Sequence, residues 1–275
     1  MAITVISGFA NAESMQFAKI GYVNNGKVAT WSSSGAQTNY DVTALNSEMT
    51  VRRWRSTTNI CWIQANYFGS VDVDYIAFAA HNLSGKAISV YVNGEATPVA
   101  THTPTSNDPL MILFQKEASV TILKVEIDGD TSEESSAETG ELTEIGIVYF
   151  GAILEMPVKV QNTHSPANLS RVTTIKPRLS DSGQFLSKTI IKKGYEAKYT
   201  FEHIDPDFYR DDFDLFVEAA VTRPFFMAWN QYSYPEDVVF GWVEKDIQPS
   251  FMGVLDYMAV SFTMNCQMGI EVYGE

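Results

Sequence analysis

The residues of this chain that could perform acid–base chemistry are its histidines and its paired carboxylates. The histidines stand alone, outside motifs such as HExxH or GxSxG. They are His81, His102, His164 and His203. Asp72 and Asp74 share one strand face about 7 Å apart, which would suit a glycosidase, but such pairs are more often plain surface. We therefore predict no catalytic residue, no metal site and no cofactor, and expect that the protein is not an enzyme.

Sugar recognition is a second kind of chemistry that the residue types allow. Sugar rings stack on exposed aromatic faces, while amide, guanidinium and imidazole groups bond the hydroxyls. The residues proposed for glycan binding are Trp31, Trp54, Arg55, His81 and Asn82. The alternative is that the tryptophans fill a core, which we favour for Trp54 and Trp62, and that His81, at the end of an apolar strand, is a hydrogen-bonded structural residue.

A second aromatic cluster lies between positions 225 and 242. Core packing would explain most of it, yet the loop Tyr232–Tyr234 should be solvated, and solvated Tyr and Trp are typical of protein interfaces. The residues proposed for an interface are Trp229, Tyr232, Tyr234 and Trp242.

The elements that position these residues are mainly strands in the first half of the chain. Apolar residues alternate with polar ones over 71–76, 88–93 and 119–128, and Ile76–Ala80 is apolar on both faces. Asn25-Gly26 predicts a tight hairpin turn between strands at 20–23 and 28–31. Residues 1–153 are therefore predicted to form a hairpin-rich β-sandwich.

The second half, residues 154–275, is predicted to be an antiparallel α+β domain that begins near Pro157. Strands are expected over 171–176, 195–202, 225–229, 238–243 and 258–267. Asp205-Pro206 predicts a capped helix start, and apolar residues at helical spacing continue the helix to about Thr222. The fold class is mainly β, with one helix.

The charge balance limits the partners. Among 275 residues there are 33 acidic and 19 basic side chains, a formal net charge of −14. Nucleic acid and anionic membranes are therefore poor partners. The first residues do not form a secretory signal, and no apolar run is long enough for a membrane span. Cys61 and Cys266 are predicted to be reduced core residues rather than a disulfide or metal ligands.

The segment from Asp128 to Glu144 is polar and acidic. Its Asp128-x-Asp130-x-Ser132 start is similar to a calcium loop, but Glu133 stands where the EF-hand needs glycine, and Thr139 stands at its twelfth position. A solvated surface loop is predicted, with a bound ion as the alternative.

Two segments carry a resemblance to a known family. WRSTTNICWIQANYFGSVDVDYIAFAAHNLSGKAISVYVNG, which begins at Trp54, resembles the discoidin-type, galactose-binding-like jelly rolls found in virion proteins of tailed bacteriophages. TRPFFMAWNQYSYPEDVVFGWVEKDIQPSF, which begins at Thr222, resembles C-terminal parts of phage tail structural proteins of the distal-tail or minor-tail type.

The resemblance implies a structural component of a phage tail, assembled in the host cytoplasm and located in the virion. Copies of the chain would form a ring at the tail tip, between the tube and the receptor-binding apparatus, in contact with tube, hub and tape-measure proteins. The alternative function is a carbohydrate-binding module that recognises host surface glycans during adsorption. The two functions can coexist in one chain.

Overall fold

The computed structural model describes residues 4–7, 14–129, 142–161, 164–253 and 256–267, which form sixteen strands and one helix. The strands are β1 (Thr4–Ser7), β2 (Lys19–Gly21), β3 (Thr30–Ser33), β4 (Trp54–Arg55), β5 (Ile60–His81), β6 (Ala87–Val92), β7 (Ala100–His102), β8 (Leu110–Asp128), β9 (Glu144–Gly151), β10 (Leu154–Glu155), β11 (Arg171–Leu179), β12 (Phe185–Ile204), β13 (Phe225–Ala228), β14 (Val238–Val243), β15 (Pro249–Phe251) and β16 (Met258–Gln267). Helix α1 runs from Pro206 to Thr222 and includes a π-helical turn over Tyr209–Phe213.

The strands form two sheets. Sheet A has the order β4-β9-β5-β8-β6-β7, with β1 beside β8 and β3 beside β5. Sheet B has the order β10-β2-β13-β14-β16-β12-β11, with β15 beside β16. Every pairing is antiparallel except that of β1 with β8. The predicted fold class, mainly β with a sandwich followed by an antiparallel sheet and one helix, is confirmed.

Sheet A folds into a sandwich because β5 and β8 each run through both of its layers. Ile60–Asn66 pairs with the end of β8, whereas Tyr75–Phe78 pairs with its beginning, and register shifts separate the two regions. The alternating apolar residues of both layers, such as Ile63 and Phe78, face one shared cluster. Each of β5 and β8 is one continuous bent strand, of which the alternation seen in the sequence at 71–76 and at 119–128 covers only a part.

A second apolar layer joins the sandwich to sheet B. The outward residues of β5 and β9, including Tyr75 and Tyr149, pack against Phe226 and Phe240 of sheet B. The rings of Tyr149 and Phe226 lie 5.4 Å apart between centroids. This contact explains why Ile76–Ala80 is apolar on both faces.

The prediction of a hairpin around Asn25-Gly26 was wrong. Asn25–Lys27 is a single 3-10 turn, and the strands on either side of it belong to different sheets. Strand β2 pairs with β13 and β10 in sheet B, whereas β3 pairs with β5 in sheet A. The close approach of β2 to sheet A requires Gly21, since a Cβ there would lie 2.7 Å from the Tyr75 ring.

The predicted boundary at 153/154 separates the strands of sheet A from those of sheet B, with one exception. Strand β2 lies before the boundary but belongs to sheet B. Strands β2 and β10 pair directly, with Ile20 opposite Leu154, so the sandwich strands β3–β9 are inserted into one edge of sheet B, whereas β1, which pairs with β8, precedes β2. The division into two independent domains stays a prediction.

Helix α1 covers one face of sheet B as the periodicity predicted. The Asp205 carboxylate accepts a 2.8 Å hydrogen bond from the Asp207 N–H, and Pro206 occupies the first turn. Phe213 and Phe216 are fully buried against sheet B, and the ring of Phe216 lies 4.9 Å from that of Phe225. The opposite side of the helix faces solvent.

Candidate functional site

The most exposed element of the chain is a two-stranded ribbon, formed by β11 and the first part of β12. We call residues 171–194 the arm. Beyond the pairing of Tyr195 with Cys266, β12 leaves β16 and pairs with β11 alone. All nine residues of β11 are exposed, and a strand of that length extends for ~30 Å. Within the described residues, the arm is therefore not packed against the body of its own chain.

The arm has one apolar face, which follows from its register. Paired residues share a face, and the pairs Ile175–Ile190 and Leu179–Phe185 are separated by the pair Pro177–Lys188. The exposed fraction of the Phe185 side chain is 64%. Because an isolated two-stranded ribbon is at best marginally stable in water, these exposed apolar residues make the arm a candidate contact surface.

Basic side chains lie on both faces of the arm. Lys176 and Arg178 lie on the face opposite to the apolar pairs, whereas Lys188 and Lys193 lie on the same face as those pairs. Six of the 19 basic residues of the chain but only one of its 33 acidic residues fall within 171–194, giving the arm a net charge of +5. The remainder, with 13 basic and 32 acidic residues, carries −19.

Sequence reasoning found only the base of the arm, as strands at 171–176 and 195–202. Pro177, Gly183 and Gly194 interrupt the strand pattern, and apolar residues on an exposed ribbon have no core periodicity to reveal them. The usable signal was the turn sequence Asp181-Ser182-Gly183 between two β-branched, basic segments.

The two tryptophans predicted to bind a glycan lie inside the sandwich. Trp54 is fully buried and Trp31 is 6% exposed. Their indole N–H groups donate to the carbonyl oxygens of Gly35 and Gly26, at 3.1 and 2.8 Å. Neither ring offers a face to a sugar, so the stacking role proposed for them does not fit the structure.

Four of the five residues proposed for glycan binding nevertheless lie together at the start of β9, namely Trp54, Arg55, His81 and Asn82. Trp31 lies elsewhere, on β3. Trp54 and His81 both pair with Ile145, and Arg55 pairs with Glu144. Arg55 forms an ion pair with Glu144, and Asn82 accepts a 2.7 Å hydrogen bond from the Glu144 backbone N–H. These polar groups are occupied in holding the strand ends together.

His81 is a buried structural histidine. Its Nδ1 accepts a 3.2 Å hydrogen bond from the backbone N–H of Leu83. Burial lowers the pKa of the ring to about 4. The imidazole is therefore neutral near pH 7, which agrees with the structural alternative stated above.

A different aromatic and polar surface lies on the open side of sheet A, and we call it the polar face. It is formed by half-buried residues of three adjacent strands, and strand pairing brings them side by side. They are Trp62, Gln64 and Asn66 of β5, Lys124 and Glu126 of β8, and Tyr91 of β6. The Lys124 ammonium lies 5.4 Å from the centre of the Trp62 ring. Sequence reasoning assigned Trp62 to the core, but its alternation with buried Cys61 and Ile63 places it outward.

The residues predicted for an interface are partly exposed. Tyr232, Tyr234 and Trp242 face solvent, whereas Trp229 is half-buried and donates from its indole nitrogen to Asp237 at 2.9 Å. The rings of Trp229 and Tyr234 stack with centroids 4.9 Å apart. Their role in an interface stays a prediction.

The remaining candidates for chemistry are dispersed. Asp72 is exposed and paired with Lys116 at 2.8 Å, whereas Asp74 accepts a 2.7 Å hydrogen bond from the Ile153 N–H. Cys61 and Cys266 are free, buried thiols in separate apolar clusters. Within the described ranges we find no cluster of metal-ligating side chains. The predicted loop or ion site at 128–144 falls mostly outside the described residues.

No helix in the described part of the chain has the length and apolar character needed to cross a membrane.

Each of the solved structures described below matches about half of the chain. No protein-family model and no curated protein sequence matches the chain. Among solved structures, chitosan-binding module 2 of a Paenibacillus sp. IK-5 chitosanase/glucanase, in complex with chitotriose, matches at 13% identity and a TM-score of 0.39, over 47% of this chain and 100% of that chain. The family 32 carbohydrate-binding module of Clostridium perfringens NanJ, in complex with galactose, matches at 13% identity and a TM-score of 0.39, over 50% and 99%.

These matched structures are carbohydrate-binding modules. A further module from Clostridium perfringens, in complex with GalNAc-β-1,3-galactose, matches at 9% identity and a TM-score of 0.37, over 47% of this chain and 99% of that chain. The fold of sheet A rests on its own strand pairing, and the phage-tail assignment stays a prediction.

Proposed function

We propose that this protein is a non-enzymatic structural subunit that assembles with other subunits through the arm. The exposed arm is the observation that carries the proposal. Its apolar pairs and its unpaired β11 edge would promote non-specific association if no specific partner covered them. In the setting that the sequence resemblance implies, the assembly is a ring in a phage tail, between the tube and the receptor-binding apparatus.

The test is removal of the arm without disturbance of sheet B. Residues 173–193 are replaced by Asn-Gly, a two-residue turn that closes a hairpin between Val172 and Gly194, which already pair. Light scattering after size-exclusion chromatography then compares the variant with the full chain, alone and mixed with neighbouring gene products. We expect a folded monomer in place of a discrete assembly. Equal assembly of both proteins, or a full chain that stays monomeric in every mixture, would refute the proposal.

A second candidate function is carbohydrate recognition by the polar face. The observation that favours it is the half-exposed Trp62 beside the amides of Gln64 and Asn66, with a hydroxyl from Tyr91 one strand further. An aromatic ring surrounded by amides and a phenol is the group set that binds sugars.

Binding to immobilised glycans, with galactose and chitotriose as first probes, tests this second function. We expect Trp62→Ala to abolish binding, while Trp242→Ala, which removes an exposed tryptophan from sheet B, leaves it unchanged. Binding that survives Trp62→Ala, or a chain that binds no glycan, would exclude the polar face as a sugar site.

A further inference from the structure

We infer that the partner of the arm is a second copy of this chain, and that the arm docks on the solvent-facing side of helix α1. This inference rests on the proposed assembly function and names the partner and its surface. It follows from charge and apolar complementarity between two separate regions of one molecule.

The charges of the two regions are opposite and equal. Residues 205–222 hold six acidic residues and one arginine, a net charge of −5, against +5 for the arm. The acidic side chains are all exposed, and they are Asp205, Asp207, Asp211, Asp212, Asp214 and Glu218. Attraction between charged patches of this size favours one relative orientation and speeds the encounter of the partners.

The helix also presents apolar side chains among these acids. Leu215 and Val221 are 57% and 56% exposed, although the opposite side of the same helix fills the core. Asp211, Asp214 and Glu218 recur at helical spacing beside them, so acidic and apolar groups form one stripe. The arm offers the counterpart on a single face, because the strand register places Arg171, Lys188 and Lys193 on the face that carries the apolar residues Ile175, Leu179 and Phe185.

The contact must join two molecules. The exposed state of the arm shows that it does not cover its own helix, and β12 carries the arm at one end and leads into α1 at the other. Each copy therefore has one arm to give and one helix to offer. Such a head-to-tail contact is heterologous, and repetition closes a ring or extends a filament.

Charge reversal tests the inference. Arg171→Glu/Lys188→Glu/Lys193→Glu reverses the charge of the docking face of the arm, and Asp211→Lys/Asp214→Lys/Glu218→Lys reverses that of the helix. The control, Glu95→Lys/Glu244→Lys/Asp246→Lys, makes the same change in net charge as the helix reversal, but at exposed acids elsewhere, two of which line a groove of about 400 Å³ at the base of the arm.

We expect each reversal alone to raise the concentration for half-assembly by at least about tenfold, because several exposed pairs become repulsive. The control should leave that concentration within about twofold, and a chain with both reversals should assemble again. Mixing the two single reversals should also restore assembly, because each chain then meets a complementary partner. Assembly of the wild type should weaken between 50 and 500 mM salt.

A cross-linking measurement on the otherwise unchanged chain covers the case in which a variant misfolds. A photo-reactive phenylalanine analogue replaces Leu179, and isotope-labelled and unlabelled chains are mixed. Cross-links between labelled and unlabelled chains within 205–222 support the inference. Two results would overturn the inference while the proposed function stands. One is assembly that depends on the arm but gives cross-links outside 205–222. The other is loss of assembly in the Glu95/Glu244/Asp246 control but not in the helix variant. A wild-type chain that never assembles overturns both.

Discussion

His81 should make the stability of the sandwich dependent on pH. In the unfolded chain a histidine binds a proton near pH 6.5, whereas in the folded protein burial lowers the pKa of His81 to about 4. Between these values the unfolded state binds more protons, so the free energy of unfolding falls as the pH falls. For one group with this shift the loss amounts to about 2 kcal/mol between pH 7 and pH 5.

The measurement compares the wild type with His81→Asn in urea, followed by tryptophan fluorescence from pH 7.5 to pH 4.5. The Asn side chain has an oxygen that can accept the Leu83 N–H, and it has no proton to gain in this range. We expect the variant to be less stable at pH 7, because it leaves a cavity, but to lose less of its stability on acidification. The difference between the two proteins should therefore shrink by about 2 kcal/mol from pH 7 to pH 5.

His203→Asn is the control, since His203 is exposed and its positive φ of 65° is tolerated by Asn. This variant should keep the pH dependence of the wild type. Parallel curves for the wild type and His81→Asn, or an NMR titration of the folded His81 ring near pH 6.5, would refute the reasoning.

Three further predictions concern single side chains. Burial raises the pKa of Asp74 to about 6, so the free energy of unfolding falls as the pH rises from about 4 to 6. Asp74→Asn should remove that loss and raise the melting temperature at pH 7, which calorimetry measures. Gly241→Ala should lower the free energy of unfolding by about 3 kcal/mol or prevent sheet B from forming, because the added Cβ would lie 2.0 Å from the Asn265 carbonyl oxygen. Circular dichroism and urea denaturation would detect either outcome. Trp54→Ala should cost about 3–5 kcal/mol in urea denaturation, whereas Trp62→Ala should cost much less, and equal losses would place Trp62 in the core.

Local patterns in the sequence predicted the parts of the fold that depend on near neighbours. Helix α1 was located to within a residue because a cap, a proline and apolar periodicity all agree around Asp205. Strand β16 was located because its alternation from Met258 to Gln267 has no interruption. Both signals arise within one element, so no tertiary information was needed.

The parts that were missed depend on contacts distant in sequence. The sequence Asn25-Gly26 is compatible both with a hairpin and with strands that enter different sheets. The packing of Gly21 against Tyr75, a contact distant in sequence, favours the second arrangement. The predicted strands cover only part of the arm, because no described part of the chain buries its apolar residues and so no core periodicity marks them. The prediction that Trp31 and Trp54 stack against sugar rings was wrong, because residue type alone does not show which face of a strand is buried in the core.

The pairing of β2 with β10 has a consequence for how this protein can vary. The entry and exit of the sandwich lie next to each other, and Lys19 and Glu155 form an ion pair across that junction. A foreign module with closely spaced ends could replace strands β3–β9 without re-routing the rest of sheet B, provided that β1 were removed with them and that the module supplied an apolar cover for Phe226 and Phe240. Such a junction would let the sandwich diverge or be exchanged while the arm and helix α1 stay the same.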